Sequence, residues 1–536
     1  MRKFLAVLLL GPLVGAPSQR TAVDNSAPSS ATFRVGTKVV EVDVVARDKR
    51  GLAAGLTKDD FTLFDNGAPQ DIAFFTVRSV RSLASAKPLP RPQPLPPGVV
   101  SNRPNPNDAA PATQTVLLLD QLFTSPVNQI IAIQRMGTYL DLRRKQDGIG
   151  IFTLGASVNV IQDMTTDNAL LRRAVKRLSG RDATFRNTDT SGMTEKAAAE
   201  YSQLAMDERV RALKDALKAT ARHLASVPGR KSVVWISEGF PLLYCMPHLP
   251  CIDYSIDMRD AAQALNEANV ALYAVDPRGL IGGLSRMTGI SNAESAGRAP
   301  QIVPGYVGLP PVGPEHVETM NFLAGLTGGK AYYNDNGLED LIQTVVEDGD
   351  VTYSLGFYPS ETSQDGKVHK LSVKVARAGV SLRYRENYFA MKPFSTKPGS
   401  EAENRPSLEH LLSDPLDATQ IGLLANATPD PTRPGVFNVQ VSVDLHDVQL
   451  GNQDGKWVGT VEVSFHLESS KAFQVLTRPI EIPEDQLATA LERGIVVAHS
   501  IEWPIESQRK ATSLRVVVED KASGAAGSLR IPLGKN

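Results

Sequence analysis

The feature that most constrains the fold is a short apolar run that ends on a single carboxylate. Residues 115–120 read Thr-Val-Leu-Leu-Leu-Asp, so a mainly apolar, partly β-branched stretch ends at Asp120. This pattern is typical of a strand buried inside a parallel sheet. Ser125 and Pro126 follow, which predicts a helix N-cap with proline at the first helical position. Open α/β sheets bind ligands where a strand ends and the next helix begins, so Asp120 marks a candidate site.

Strand and helix patterns alternate across residues 114–349. Further buried strands are predicted to begin at Gly148, Lys231 and Val270, and residues 158–162 are expected to run back antiparallel at one edge. Repeated β-α units predict an α/β fold with a doubly wound, mostly parallel sheet and helices on both of its faces. The first helix carries apolar residues at helical spacing, which predicts an amphipathic helix: Val127, Ile130, Ile131, Met136 and Leu140.

The rest of the chain divides by composition. Its 536 residues favour about two to four domains. Residues 33–83 and 350–392 carry short valine-rich and aromatic strand patterns, which predict β-modules. Proline-rich residues 84–113 and polar residues 393–410 are predicted linkers. Residues 411–536 carry a further set of strand patterns, which predicts a separate C-terminal β-sandwich.

Charge and composition exclude some classes of partner. Hydrophobic residues make up 42% of the chain and charged residues 21%, as in ordinary globular proteins. The formal net charge is -1 at pH 7, so no broad basic field is predicted. Nucleic acid is therefore not an expected partner.

The first residues predict export. Residues 1–16 combine a basic start with an apolar run, and Val14 and Ala16 suit the small-residue positions before a cleavage site. This predicts a secretory signal peptide, followed by a flexible lead-in at residues 17–32. The alternative is an uncleaved anchor helix, although the run is shorter than the ~20 residues of a bilayer span. No later segment is predicted to cross a membrane, so we expect a periplasmic, outer-surface or extracellular protein.

The chain has two cysteines, Cys245 and Cys251, close together in sequence. In an exported protein such a pair predicts a disulfide that closes a small loop. The alternative is a metal clip completed by His248, which lies between them.

Several stretches match a known family. They are residues 116–120 (Val-Leu-Leu-Leu-Asp), 150–154 (Gly-Ile-Phe-Thr-Leu), 229–241 (a strand followed by Ser-Glu-Gly-Phe-Pro) and 355–359 (Leu-Gly-Phe-Tyr-Pro). Their order resembles a von Willebrand factor A domain, in particular a degenerate, exported branch of acidobacterial type. The resemblance covers roughly residues 33–392. It implies that β-strands before and after the A domain bracket it.

The resemblance implies a degenerate metal site. Metal-binding A domains carry Asp-x-Ser-x-Ser after the first strand, whereas this chain reads Asp-Gln-Leu-Phe-Thr from Asp120 to Thr124. Glu238 stands where the family has a later aspartate. A distant threonine would complete the set and is left open among three candidates: Thr184, Thr188 and Thr190. The cofactor implied is a weakly bound Mg²⁺ or Mn²⁺, held by oxygen ligands and water.

The same residues have a structural alternative. Asp120 and Thr124 would then cap the helix that begins at Pro126, and Glu238 would be a solvated loop residue. On the metal hypothesis, replacing Asp120 with alanine should abolish metal uptake. The cost to folding would be only about 1 kcal/mol, the size of a lost cap.

No catalytic residue is predicted. Ser237 follows a strand but lacks the leading glycine of a nucleophile elbow, and the histidines show no zinc-protease spacing. The function predicted is non-enzymatic binding of a protein or extracellular-matrix ligand. The expected binding face consists of four residues at strand ends: Gln121, Ser125, Ser237 and Asp276. The alternative is a structural component of an envelope assembly that contacts partners through its β-modules, and a hydrolase is a distant third.

We expect the mature protein to begin soon after Ala16, because the small residues there follow a basic start and a short apolar run. Mass spectrometry of the N-terminal peptide, on exported protein from the native host, measures this. Exported material that keeps Met1 would contradict the prediction.

Overall fold

The computed structural model describes residues 39–79, 95–103, 113–179, 192–227, 229–279, 316–360, 367–390, 408–468, 470, 473–503 and 511–533. The predicted signal peptide and lead-in lie outside the described residues, as do most of both predicted linkers. The same holds for the three candidate threonines Thr184, Thr188 and Thr190. Where the chain is described, no helix is both long and apolar enough to span a bilayer.

The strands are, in chain order, β1 (Val40–Asp48), β2 (Gly51–Leu52), β3 (Phe61–Asp65), β4 (Ala68–Gln70), β5 (Phe74–Ser79), β6 (Val100–Ser101), β7 (Gln114–Asp120), β8 (Gly148–Leu154), β9 (Val158–Thr165), β10 (Lys231–Ile236), β11 (Leu243–Tyr244), β12 (Ile252–Asp253), β13 (Val270–Val275), β14 (Ala331–Tyr332), β15 (Val351–Phe357), β16 (Val368–Val375), β17 (Ser381–Arg383), β18 (Asn387–Phe389), β19 (Leu423–Pro429), β20 (Val436–Val443), β21 (Gly451–Gln453), β22 (Lys456–Leu467), β23 (Phe473–Pro483), β24 (Ile495–Glu502), β25 (Ser513–Asp520) and β26 (Ala526–Pro532). The helices are α1 (Pro126–Leu142), α2 (Asn168–Arg177), α3 (Glu195–Leu224), α4 (Ser255–Glu267), α5 (His316–Thr327), α6 (Leu338–Asp348), α7 (Leu408–Ser413) and α8 (Leu487–Arg493).

Six strands form the central sheet, in the order β14–β13–β10–β7–β8–β9. Neighbours pair in parallel except β9, which runs antiparallel to β8. Strand β7 is apolar throughout because both of its faces are covered. Val116 and Leu118 join the core beneath α3, α4 and α5, whereas Leu117 and Leu119 join the core beneath α1, α2 and α6. The predicted mixed α/β fold is confirmed.

Helix α1 begins at Pro126 as predicted, but it buries a different side from the one its apolar residues suggest. Met136 and Leu140 are buried, whereas Val127, Ile130 and Ile131 are 67%, 49% and 37% exposed. The helix packs through a stripe at helical spacing that also contains Ala132 and Tyr139. Three large apolar side chains are therefore left on the solvent side of its first turns.

The strands before and after the central sheet form one structural unit. Strand β1 pairs antiparallel with β15, and β3 pairs antiparallel with β16, although about 300 residues separate them. Asp348, at the end of α6, ties this unit to the central sheet. Arg47 Nε of β1 donates to Asp348 Oδ1 at 2.6 Å, and Tyr273 OH of β13 donates to Oδ2 at 3.0 Å. Arg383 of β17 pairs with the same carboxylate.

The C-terminal strands form two antiparallel sheets around a common apolar core. One has the order β24–β20–β19–β6, and the other contains β21, β22, β23, β25 and β26. Strand β6 lies inside residues 84–113, so that stretch is not a linker throughout. The reason is Asn102, whose Nδ2 donates to the carbonyls of Ala418 and Ile421 at 2.8 Å each and whose Oδ1 accepts from Leu423 N at 2.8 Å.

Cys245 and Cys251 form a disulfide, which closes the β11–β12 hairpin. The sulfurs are therefore not the thiolates that a metal clip needs. His248 lies between them with a positive φ of 66°, and its ring Nε2 is 3.7 Å from Glu195 Oε1 of α3. The hairpin thus contacts the beginning of α3.

The other end of α3 contacts the C-terminal region through His223. Its Nδ1 is 2.9 Å from the Asp417 carbonyl oxygen, and its Nε2 is 3.1 Å from Asp163 Oδ1 of β9. Both ring nitrogens face oxygen acceptors, an arrangement that suits the doubly protonated ring. Burial opposes protonation, but the hydrogen bond and charge of Asp163, together with Asp417, outweigh it and raise the pKa of His223 above 6.5.

We expect His223 to stabilise the fold more at acidic than at alkaline pH. Its pKa is higher in the folded than in the unfolded chain, so its contribution is full below about 6.5 and is lost as pH rises through the folded-state pKa. The gap in unfolding free energy between wild type and His223→Gln, from urea titrations at pH 5.5 to 9, should shrink with rising pH.

The matched control is His466→Gln, because the His466 ring contacts the Ser470 carbonyl instead of a carboxylate. A gap for His223→Gln that is constant with pH, or that grows at alkaline pH, would contradict the prediction.

Candidate functional site

Asp120, at the carboxyl end of β7, is fully buried and its carboxylate accepts four hydrogen bonds. Oδ1 accepts from the backbone amides of Leu122 at 2.8 Å and Phe123 at 3.1 Å. Oδ2 accepts from Trp235 Nε1 at 2.9 Å and Ser237 Oγ at 2.8 Å. The carboxylate therefore shapes its own loop and joins the ends of β7 and β10.

Burial dominates the titration of this carboxyl group. It raises the pKa of Asp120 to about 6, against the opposing effect of the hydrogen bonds, led by that of Ser237. The hypothesis that Asp120 and Thr124 cap α1 is wrong. Asp120 bonds loop amides ahead of the helix, and Thr124 Oγ1 has no hydrogen-bond partner among the described residues. The Ser125 side chain makes no capping bond either.

Glu238 accepts hydrogen bonds at the beginning of α1, where the Ser125 side chain makes no capping bond. Its Oε1 accepts from Ser125 N at 2.8 Å and from Asn128 Nδ2 at 2.9 Å. A carboxylate at a helix N-terminus also interacts favourably with the helix dipole. Glu238 is only 4% exposed, so the expectation of a solvated loop residue is wrong. It connects the loop after β10 to the first turn of α1.

Asp276, at the end of β13, is paired with Arg278 two residues later. Arg278 Nε lies 2.8 and 3.0 Å from the two carboxylate oxygens, and Nη2 is 2.6 Å from Oδ2. Nη2 also approaches the Glu238 carbonyl oxygen at 3.4 Å. Sequence reasoning missed Arg278, although a cation spaced two residues after an acid at a strand end was a signal for it.

The four predicted binding-face residues serve mainly as internal supports. Ser237 is fully buried, and its Oγ accepts from Gly239 N at 3.0 Å while donating to Asp120. Asp276 is buried under its pair with Arg278. Gln121 donates from its backbone to Leu154 O at 2.8 Å, and Ser125 contributes its backbone amide to Glu238. Their polar atoms hold loops in place.

The residues present do not fit a divalent cation. Both oxygens of Asp120 are occupied by protein donors, and Oε1 of Glu238 is occupied as well. Leu122 lies in the apolar core and offers no ligand atom. Within the described ranges, no group of three His, Cys, Asp or Glu side chains is placed to hold a metal ion. Hard cations such as Mg²⁺ need more free oxygen ligands than this edge presents.

Exposed apolar side chains lie at the same end of the sheet. Helix α1 begins immediately after β7, and the β11–β12 hairpin and α4 follow β10. Besides the three exposed residues of α1, Leu243 of the hairpin is 59% exposed and Ile256 of α4 is 74% exposed. The carboxyl-end edge thus combines buried polar supports with an apolar outer surface.

No family model and no curated protein matches this chain. Several solved structures are similar to parts of it, at low identity and low TM-score. An aerotolerance-related membrane protein from Bacteroides fragilis matches at 14% identity and a TM-score of 0.26, over 44% of this chain and 98% of that one. A von Willebrand factor type A protein from Catenulispora acidiphila matches at 11% identity and a TM-score of 0.25, over 78% and 66%.

Proximal thread matrix protein 1 from the mussel byssus, in a form whose metal motif is occupied by zinc, matches at 10% identity and a TM-score of 0.24. It covers 46% of this chain and 47% of that one. All three TM-scores lie below 0.5, so these likenesses assign no family to this chain. Likeness at this distance transfers no role to any residue.

We expect Asp120→Ala to lower the unfolding free energy by at least about 3 kcal/mol, because each buried donor left unpaired costs about 1–3 kcal/mol. The loss exceeds the ~1 kcal/mol expected for a cap. Asp120→Asn should cost less, since it keeps an acceptor for the Leu122 and Phe123 amides. Urea titration of the purified variants measures both losses.

Asp167→Ala is the matched control, because Asp167 does cap α2 through the amides of Ala169 and Leu170. A loss for Asp120→Ala no larger than for this control would contradict the structural role assigned to Asp120.

Proposed function

We propose that this chain is an exported, non-enzymatic binding protein that recognises a protein or matrix ligand. It would do so through the carboxyl-end edge of a von Willebrand A-like domain. The observation that carries the proposal is the set of exposed apolar side chains at that edge, on α1, on the hairpin and at the start of α4. Clustered exposed apolar residues are typical of interaction sites, whereas single ones are not informative.

The finer architecture belongs to the same proposal. The A-like domain would be doubly wound, bracketed by the β-module of residues 33–83 and 350–392, and followed by a β-sandwich. The sheet order, with β9 as an antiparallel edge, supports this arrangement. The two C-terminal sheets and their common core support the sandwich. Export, and membership of the degenerate exported branch, rest on the sequence alone.

The chemistry of the edge supports binding over catalysis. Ser237 Oγ donates to the carboxylate of Asp120, which already accepts three other hydrogen bonds. A nucleophilic serine needs a base oriented by a third group. Asp120, Glu238 and Asp276 each fix a loop or a cation at the sheet edge, so the charged groups act as supports.

A second candidate is a structural part of an envelope assembly that uses its β-modules. One observation favours it. Within the described residues, strand β23 pairs with β22 on one side only, and it exposes Phe473 and Val475. In the same described part of the chain, strand β24 pairs with β20 alone, and it exposes Val496. Unprotected edge strands offer free backbone groups to another chain.

Photocrosslinking separates the two candidates. We expect full-length protein with p-benzoylphenylalanine at Ile131 to crosslink to a partner in the envelope or matrix fraction of its native host. The same label at Val475 should give no such product, because the proposed contact lies on α1. The aspartate substitution Ile130→Asp should abolish the Ile131 crosslink, whereas Val496→Asp should leave it intact.

A crosslink at Val475 alone would instead favour the structural role. The two labelled positions are matched, because both are branched, exposed side chains on regular elements.

A further inference from the structure

One carboxylate at the carboxyl-end edge has no counter-charge among the described residues. Glu238 is only 4% exposed, and it forms no ion pair within the described part of the chain. Its Oε1 accepts both of its hydrogen bonds, and Oε2 accepts none from the described residues. A withdrawn carboxylate normally has either a cation or a full set of donors.

The neighbouring carboxylates are compensated. Asp120 has four donors on its two oxygens. Asp276 has the guanidinium of Arg278, which turns its Nε and Nη2 to that carboxylate and reaches only the backbone carbonyl of Glu238. Spare acceptor capacity is therefore concentrated at Glu238. Thr124 adds to it, because its Oγ1 is buried with no hydrogen-bond partner among the described residues, one residue before the amide that binds Glu238.

The apolar stripe of α1 begins at the same point. Asn128, whose Nδ2 holds Glu238, lies beside Val127 in sequence and one turn before Ile131. Residues three apart on a helix are neighbours on its surface. Glu238 is therefore held beside the face of α1 that carries the exposed Ile131, and the exposed Val127 lies one turn before Ile131 on that face. A charge and an apolar strip side by side match the head and stem of a long basic side chain.

We propose that Glu238 receives a lysine or arginine side chain of a partner protein, whose aliphatic stem packs along Val127 and Ile131 of α1. The cationic head donates to Glu238 Oε2, and the partner's flanking apolar residues cover Ile130. This inference rests on the proposed function, because it names the chemistry of the partner at the same edge. A metal ion suits the place less well, since Asp120 offers no free oxygen to complete its coordination.

The test uses peptide probes and the full-length protein. The probes are acetyl-Leu-Lys-Leu-amide and its uncharged counterpart with norleucine in place of lysine. Isoleucine δ1-methyl NMR reports binding at Ile130 and Ile131, which are assigned with Ile→Val variants. We expect the lysine peptide to shift both methyl signals, and to bind about 10-fold more tightly than the norleucine peptide, since a charge-assisted hydrogen bond contributes about 1.5 kcal/mol.

Glu238→Gln should remove this preference while keeping an oxygen for the Ser125 amide. Its matched control is Glu339→Gln, because Glu339 is a carboxylate of α6 that already pairs with Arg135 of α1. That variant should keep the preference. Unchanged methyl signals elsewhere confirm that each variant is folded. In the wild type, added salt should weaken the lysine peptide more than the norleucine peptide.

Equal affinity for both peptides, or a preference that survives Glu238→Gln, overturns the proposal, as does the absence of any shift at either methyl. If both peptides shift the methyl signals with equal affinity, the contact between the cation and Glu238 is ruled out, whereas binding of apolar groups at this edge is retained. Failure of the proposed function is seen separately, as a partner crosslink at Val475 and none at Ile131.

Discussion

The buried carboxylate of Asp120 is the interaction on which the candidate site depends. It accepts from two amides of its own loop, from Trp235 of β10 and from Ser237 just after β10, so a single group joins the two central strands at their carboxyl ends. A charge withdrawn from water is tolerated only with such compensation. Because its donors are backbone amides and the buried side chains of Trp235 and Ser237, the loop between β7 and α1 has little freedom to rearrange.

This arrangement changes what the edge offers to a partner. In the metal hypothesis, Asp120 would present an oxygen outward, whereas the structure turns both oxygens inward to protein donors. Glu238 extends across from the next strand and takes over the beginning of α1. In the proposed mode of binding, the contact lies on the outer surface of the edge, where apolar side chains of α1 are exposed beside the buried Glu238.

The flanking strands and the C-terminal region are attached to the central sheet and its helices by specific contacts. Strands from both flanks of the central sheet pair with each other, and their arginines converge on Asp348 at the end of α6. The end of α3 contacts the C-terminal region through His223, while its beginning supports the disulfide-closed hairpin. The long helix α3 thus connects the candidate edge to the region farthest along the chain.

Local pattern in the sequence determined the strand that ends at Asp120, the start of α1 at Pro126 and the mixed α/β class, because strand burial and proline geometry act within a few residues. The close cysteine pair likewise pointed to the disulfide. Tertiary structure alone decided that Asp120 would be saturated by Trp235 and Ser237, and that Val127 and Ile131 would face solvent. Those outcomes depend on which groups meet across more than 100 residues of chain. Helical spacing shows that apolar residues recur, but only the packed neighbours select the side that is buried.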